Sequence, residues 1–152
     1  MRAIAPGRVN LIGDHTDYTG GLVFPMAINR HTVIDARFTD DSSVSLKSAD
    51  EPDVAHFKLP VSDFSSLQPQ WARYIAAVAA QCKATRGISG TISTDIPIGS
   101  GLSSSAALEV AAALALGFDG SQQELAQLTQ RAEHAATGVP TGIMDQLCIA
   151  SA

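Results

Sequence analysis

Basic charge is scarce in this sequence of 152 residues: 10 lysines and arginines stand against 15 aspartates and glutamates, giving a formal charge of -5. Surfaces that neutralise phosphate backbones or anionic lipid gather Lys and Arg, so this deficit argues against nucleic acid or a membrane as partner. Cysteine is nearly absent. Cys82 and Cys148 have neither metal-ligand spacing nor the density of a disulfide framework, and read as reduced residues of a cytoplasmic protein. Long apolar runs are missing as well. The longest, Ala106–Leu116, is broken by Glu109 and falls short of the ~20 residues that cross a bilayer. Residues 1–13 lack the charged head and unbroken apolar core of a secretory signal. No repeat, low-complexity tract or linker divides the chain, and a hydrophobic content of 45% is enough for one globular domain with a real core.

Strand signals come first and helix signals later. Ala27–Phe38 and Val44–Ser48 carry β-branched and apolar residues in loose alternation about the polar stretch 39–43, a pattern that predicts a hairpin. Val54–Leu59 and Ile88–Thr94 read as further strands, the second alternating Ile88, Gly90 and Ile92 against Ser89, Thr91 and Ser93. Between them Trp71, Ile75, Val78 and Cys82 recur at three- and four-residue steps, which predicts a helix over Trp71–Lys83. Three more helices are expected. One is Ala-rich and runs from near Ser103 to Leu116; one starts at the capping box Ser121–Glu124 and stops at Gly138; the last begins after Gly142. The order suggests an α+β domain, a mixed sheet with helices on one face.

Three segments carry chemistry. The first runs from Pro6 to Tyr18 and crowds Arg8, Asp14, His15 and Asp17 into a stretch rich in turn residues. Carboxylates accept hydrogen bonds from sugar hydroxyls, His donates or accepts, and Arg offers fixed donors to a phosphoryl group. The composition suits a polyol site and equally a solvated polar loop. The second, Pro97–Ala107, follows a strand and opens a helix, so its glycines and unpaired N–H groups can curl around an anion. It is not a Walker loop, because no Gly-Lys-Ser/Thr closes it and no basic residue lies in it. A glycine turn capped by Ser103 is the plainer alternative. The third, Gly138–Gln146, presents Asp145 in the first turn of a helix, where an acid is favoured by the dipole whatever its role.

Together these segments resemble the galactokinase family of the GHMP kinase superfamily. Gly7–Tyr18 is similar to the galactokinase signature, Pro97–Ala107 to the GHMP phosphate loop, and Gly142–Gln146 to the stretch bearing the family's catalytic aspartate. The resemblance implies the fold of the GHMP amino-terminal domain (ribosomal protein S5 domain 2-like) and ATP-dependent phosphorylation of the anomeric hydroxyl of galactose, with Mg2+. It implies Asp145 and Arg8 as catalytic residues, and Asp14, His15, Asp17 and Gly142 as sugar contacts. Pro97, Gly99, Ser100, Gly101, Leu102, Ser103, Ser104, Ser105 and Ala106 would hold the nucleotide phosphates, and Ser105 and Glu133 the metal. The expected partners are therefore a small sugar and ATP.

Several departures qualify the resemblance. Asp14 stands where the family usually has Glu, Thr19 where it has Asn, and Thr141 where it has Cys. Family members are also two-domain chains, so residues 1–152 are expected to be the amino-terminal domain, without the carboxy-terminal domain that completes the nucleotide site. A non-catalytic galactose and ATP sensor, or a kinase for N-acetylgalactosamine or arabinose, shares much of the signature; the intact Ser105-Ala106-Ala107 favours an enzyme over a sensor.

Overall fold

A computed structural model describes residues 1–152. Five strands form one sheet: β1 (Arg2–Ile12), β2 (Phe24–Phe38), β3 (Ser43–Ser48), β4 (Val54–Lys58) and β5 (Ile88–Thr94). Their spatial order is β1-β2-β5-β3-β4, antiparallel except for the β3–β5 pair. The helices are α1 (Ala72–Gln81), α2 (Ser104–Ala115), α3 (Gln122–Thr137) and α4 (Met144–Ala150). An α+β domain with a mixed sheet is thus what the chain forms, and no helix is long and apolar enough to cross a membrane.

Two expectations need correction. β2 and β3 are not a hairpin, because β5 inserts between them and the true hairpin is β3–β4. Residues 39–43 have turn chemistry, but local chemistry cannot report that a strand 45 residues further on takes the neighbouring position. The first motif, moreover, is not a loop throughout. Its first half, residues 6–12, is the end of strand β1, whose Ala3 and Ala5 turn into the core. Pro6 and Gly7 mask this in the sequence, yet β1 lies at the sheet edge, where a proline removes no ladder bond that matters. The register shifts between Pro6 and Arg8, a bulge that re-aims the side chains beyond it.

The core lies between the sheet and the helices. Ile34, Leu46 and Ile88 of the sheet meet Ile75 and Val78 of α1 and Val110 of α2, all at 2% exposure or less. Each such side chain stabilises the fold by about 1.5–3 kcal/mol relative to leaving it in water. Helix α2 is built from alanines so that it can sit close against β1, β2, α1 and α3 at once. At α3 the capping box forms as the sequence predicts: Glu124 N donates to Ser121 Oγ at 3.2 Å, and Ser121 N donates to Glu124 Oε2 at 2.8 Å. The helix ends at Gly138, whose φ of 73° is left-handed. Against α3 and β1 packs the short helix α4, which brings position 145 next to the bulge of β1.

Candidate active site

Arg8 is the hub of the site. Its Nε donates to Asp145 Oδ1 at 2.7 Å and its Nη2 to Asp145 Oδ2 at 2.8 Å, while Nη1 donates to the carbonyl of Gly101 at 2.7 Å. One guanidinium therefore ties an edge strand, the phosphate loop and helix α4 together. The side chain of Arg8 is only 12% exposed, so this bidentate pair sits out of bulk water, where planar matching of Arg and carboxylate is strongest. The loop is also docked through backbone. Arg8 N donates to Leu102 O at 3.1 Å, and a β-carbon at Gly7 would stand 2.9 Å from that carbonyl.

Loop 97–103 leads into α2. Gly99 and Gly101 have φ of 74° and 76°, and a β-carbon at either would meet nothing within 4 Å. Backbone conformation, not crowding, asks for glycine there, and the space over the loop is open, as an anion cradle needs. Ser100 turns back on its own loop, donating to Pro97 O at 2.6 Å. Ser103 takes the position before the helix but does not cap it; its hydroxyl donates to Asp145 instead. The capped glycine turn is therefore not what this segment forms.

Asp17, expected at a sugar, has a second employment. Its Oδ1 accepts the N–H groups of both Ile143 and Met144 at 3.1 Å, so it caps the start of α4 from 126 residues away. Gly142 lies directly against its carboxylate. A cleft of about 260 Å³ is lined by Arg8, Asp14, Asp17, Gly142 and Asp145 together with Tyr18. Asp14 Oδ1 is held by the amide of Asn10. His15 is not among the lining residues; it is exposed, and its Nδ1 is hydrogen-bonded to the Tyr18 hydroxyl at 3.0 Å. Tyr18 lines the cleft in its place.

Ser105 and Glu133 come together: the hydroxyl donates to Glu133 Oε1 at 3.0 Å. Glu133 Oε2 accepts from Gln146 Nε2 at 2.7 Å and from Thr141 Oγ1 at 3.3 Å. Beneath them lies Glu109, completely buried, with neither carboxyl oxygen hydrogen-bonded. Burial first, and then the charges of Glu133 and Asp145, push its pKa well above the usual carboxylate range, against a lowering influence from Gln146.

Residues absent from the sequence-based site line a second pocket of about 190 Å³ that adjoins the start of α2. Trp71, Tyr74, Ile92 and Leu108 give it apolar walls, and Ser104 and Ser105 connect it to the phosphate loop. Burial raises the Tyr74 phenol, helped by the charges of Glu133 and Glu109. Trp71 falls on a helical spacing, which is why it reads as an ordinary helix residue. The available signal was a lone tryptophan opening an alanine-rich helix.

Residues 72–152 match the GHMP kinases N terminal domain, and the chain belongs to the GHMP kinase family. Within that family its affinity is specific: residues 1–38 match the galactokinase galactose-binding signature. Among curated relatives, the galactokinase of Chloroflexus aggregans is 47% identical over 97% of this chain, and human galactokinase 44% over 93%. These alignments take in 40% and 39% of the relatives, so the chain spans about two fifths of their length. The crystal structure of Lactococcus lactis galactokinase complexed with galactose superposes with a TM-score of 0.89 and 36% identity, over 98% of this chain and 41% of that one. Methanococcus jannaschii mevalonate kinase, at 22% identity and a TM-score of 0.82, shares the fold over 99% of this chain and 51% of its own.

Proposed function

We propose that residues 1–152 form the sugar-binding and phosphate-binding domain of a galactokinase, which transfers the γ-phosphoryl group of ATP to the anomeric hydroxyl of galactose. The bidentate pair of Arg8 and Asp145, suspended between the sugar cleft and the phosphate loop, carries this reading. A galactokinase of 36% identity was crystallised with galactose, and its fold is shared over almost the whole chain.

Asp145 stands where it can take the proton from the sugar hydroxyl as that oxygen bonds to the γ-phosphorus and ADP departs with the electrons of the broken P–O bond. Arg8 keeps the carboxylate in place and puts positive charge beside the phosphoryl group in flight. Asp17 has Oδ2 free for sugar hydroxyls while Oδ1 caps α4, and Asp14 offers further acceptors from the other end of the cleft. In the nucleotide site, N–H groups around Gly99, Ser100 and Gly101 and at the start of α2 suit the phosphates. The base would lie in the pocket of Trp71 and Tyr74, whose flat rings suit a purine. Ser105 and Glu133 offer only oxygen donors, 3.0 Å apart, a donor set that fits Mg2+. When bound there, that ion would neutralise phosphate charge.

The line-up needs a second domain for closure, as the length of the relatives suggests. In the complete polypeptide, ADP release from MgATP should depend on added galactose, with N-acetylgalactosamine and arabinose as poorer acceptors. Equal or better turnover with either of those sugars would reassign the substrate, and none with any sugar would favour a binding protein.

A further inference from the structure

We propose that Ser103 is a positioning residue for Asp145, acting on the acceptor side of the reaction and not as a ligand of the nucleotide phosphates. This deepens the kinase reading above and rests on it.

The backbone first shows that the side chain at 103 matters. Ser103 has φ of 58° and ψ of 47°, the left-handed conformation, and Lys83 is the only other non-glycine residue with a positive φ. A β-carbon is disfavoured in that conformation, and the same loop uses glycine for it at 99 and 101. Glycine would be the easier residue at 103 if backbone shape were all that counted. Ser103 is 9% exposed, so its hydroxyl must find a partner inside the protein.

That partner is specific. The hydroxyl makes no capping bond to α2; it donates to Asp145 Oδ2, the oxygen that also accepts from Arg8 Nη2. A serine hydroxyl has one proton. While that proton is directed at Asp145, the oxygen has only lone pairs left, and these would repel phosphate oxygens. Ser103 therefore cannot grip the nucleotide through its side chain in this arrangement, although its main chain remains part of the cradle.

The consequence is a mechanical link. Loop 97–103 reaches Asp145 twice, through Gly101 O by way of Arg8 and directly through Ser103. Whatever seats the loop around a nucleotide also fixes the orientation of the carboxylate that faces the sugar. Loss of the Ser103 hydroxyl leaves phosphate binding intact and lets Asp145 rotate about the two remaining contacts to Arg8.

The test uses the complete polypeptide with Ser103→Ala, Ser103→Gly and Asp145→Asn. Glycine removes the hydroxyl and relieves the backbone; alanine removes the hydroxyl alone. Both Ser103 variants should lose kcat on the order of ten- to a hundredfold, the worth of a hydrogen bond to a charged group, while KM for ATP stays within about twofold. In melting experiments Ser103→Ala should lower Tm in the wild-type background and have no effect in an Asp145→Ala background. A raised KM for ATP with kcat unchanged would overturn the proposal in favour of a phosphate ligand, and an unaltered kcat in Ser103→Gly would overturn it outright, as would equal Tm losses in both backgrounds. Asp145→Asn separates the two levels of the argument: if it keeps wild-type kcat, the catalytic assignment of Asp145 itself fails.

Discussion

The carboxylate of Asp17 occupies the place where a side chain on residue 142 would begin. A β-carbon at Gly142 would stand 2.0 Å from Asp17 Cγ, in the segment where Asp17 accepts the N–H groups of Ile143 and Met144. The signature loop and the start of α4 thus share one contact, and any side chain at 142 must break it.

Gly142→Ala is therefore expected to expel Asp17 from its capping position and shift both the sugar cleft and Asp145. A displacement of about 1 Å costs on the order of a hundredfold in rate. Steady-state kinetics should show a higher KM for galactose together with a kcat loss of that order, with KM for ATP little changed. A kinetically normal variant would mean that the Asp17 contact to α4 is not maintained in the working enzyme.

Much of this site is legible in the sequence because each motif is contiguous. Gly7–Tyr18, Pro97–Ala107 and Gly142–Gln146 each announce themselves, and the box at Ser121 and Glu124 fixes the start of α3 to the residue. What is not legible depends on distance along the chain. The insertion of β5 between β2 and β3 is a pairing of remote segments, and the double duty of Asp17 joins residues 126 and 127 positions apart. Two other features are disguised by a simpler explanation. Strand β1 runs through Pro6 and Gly7, which read as turn residues, and Glu109, which looks like a mere interruption of an apolar run, is a fully buried acid under Glu133 and Gln146.

Glu109 gives a prediction about pH. Its pKa is raised in the folded state, so protonation costs nothing there, whereas ionisation is penalised. The contribution to stability is complete below the ordinary glutamate value of about 4.3 and is lost progressively as pH rises toward the higher folded value. Glu109→Gln keeps the shape without the charge, and should raise Tm at pH 8 by on the order of 3–5 °C, with a smaller gain at pH 5. Melting curves at the two pH values check this; a variant less stable at pH 8 than the parent would show that Glu109 is charged and paired.

The pocket beside α2 makes the nucleotide assignment testable without touching the phosphate loop. Stacking of a base on an aromatic ring is worth about 1–3 kcal/mol, so Trp71→Leu should weaken ATP binding on the order of ten- to a hundredfold. Galactose affinity should be unchanged, since Trp71 does not line the sugar cleft. Calorimetric titration with each ligand distinguishes these effects, and an equal loss for both would point to general unfolding and remove the pocket from the nucleotide site.

The account turns on Asp145 as the group that receives the sugar's proton, and the rate of phosphoryl transfer by Asp145→Asn in the complete polypeptide tests it most directly. Asparagine keeps the size of the side chain, still accepts from Ser103 and sits in the first turn of α4 as aspartate does, but it is neither charged nor basic. With galactose and MgATP saturating, ADP release by this variant should fall by at least on the order of a hundredfold while both substrates still bind, the lower end of the range for a positioned general base. Turnover equal to that of the parent, with binding intact, would contradict the catalytic role of Asp145 and with it the arrangement built around Arg8.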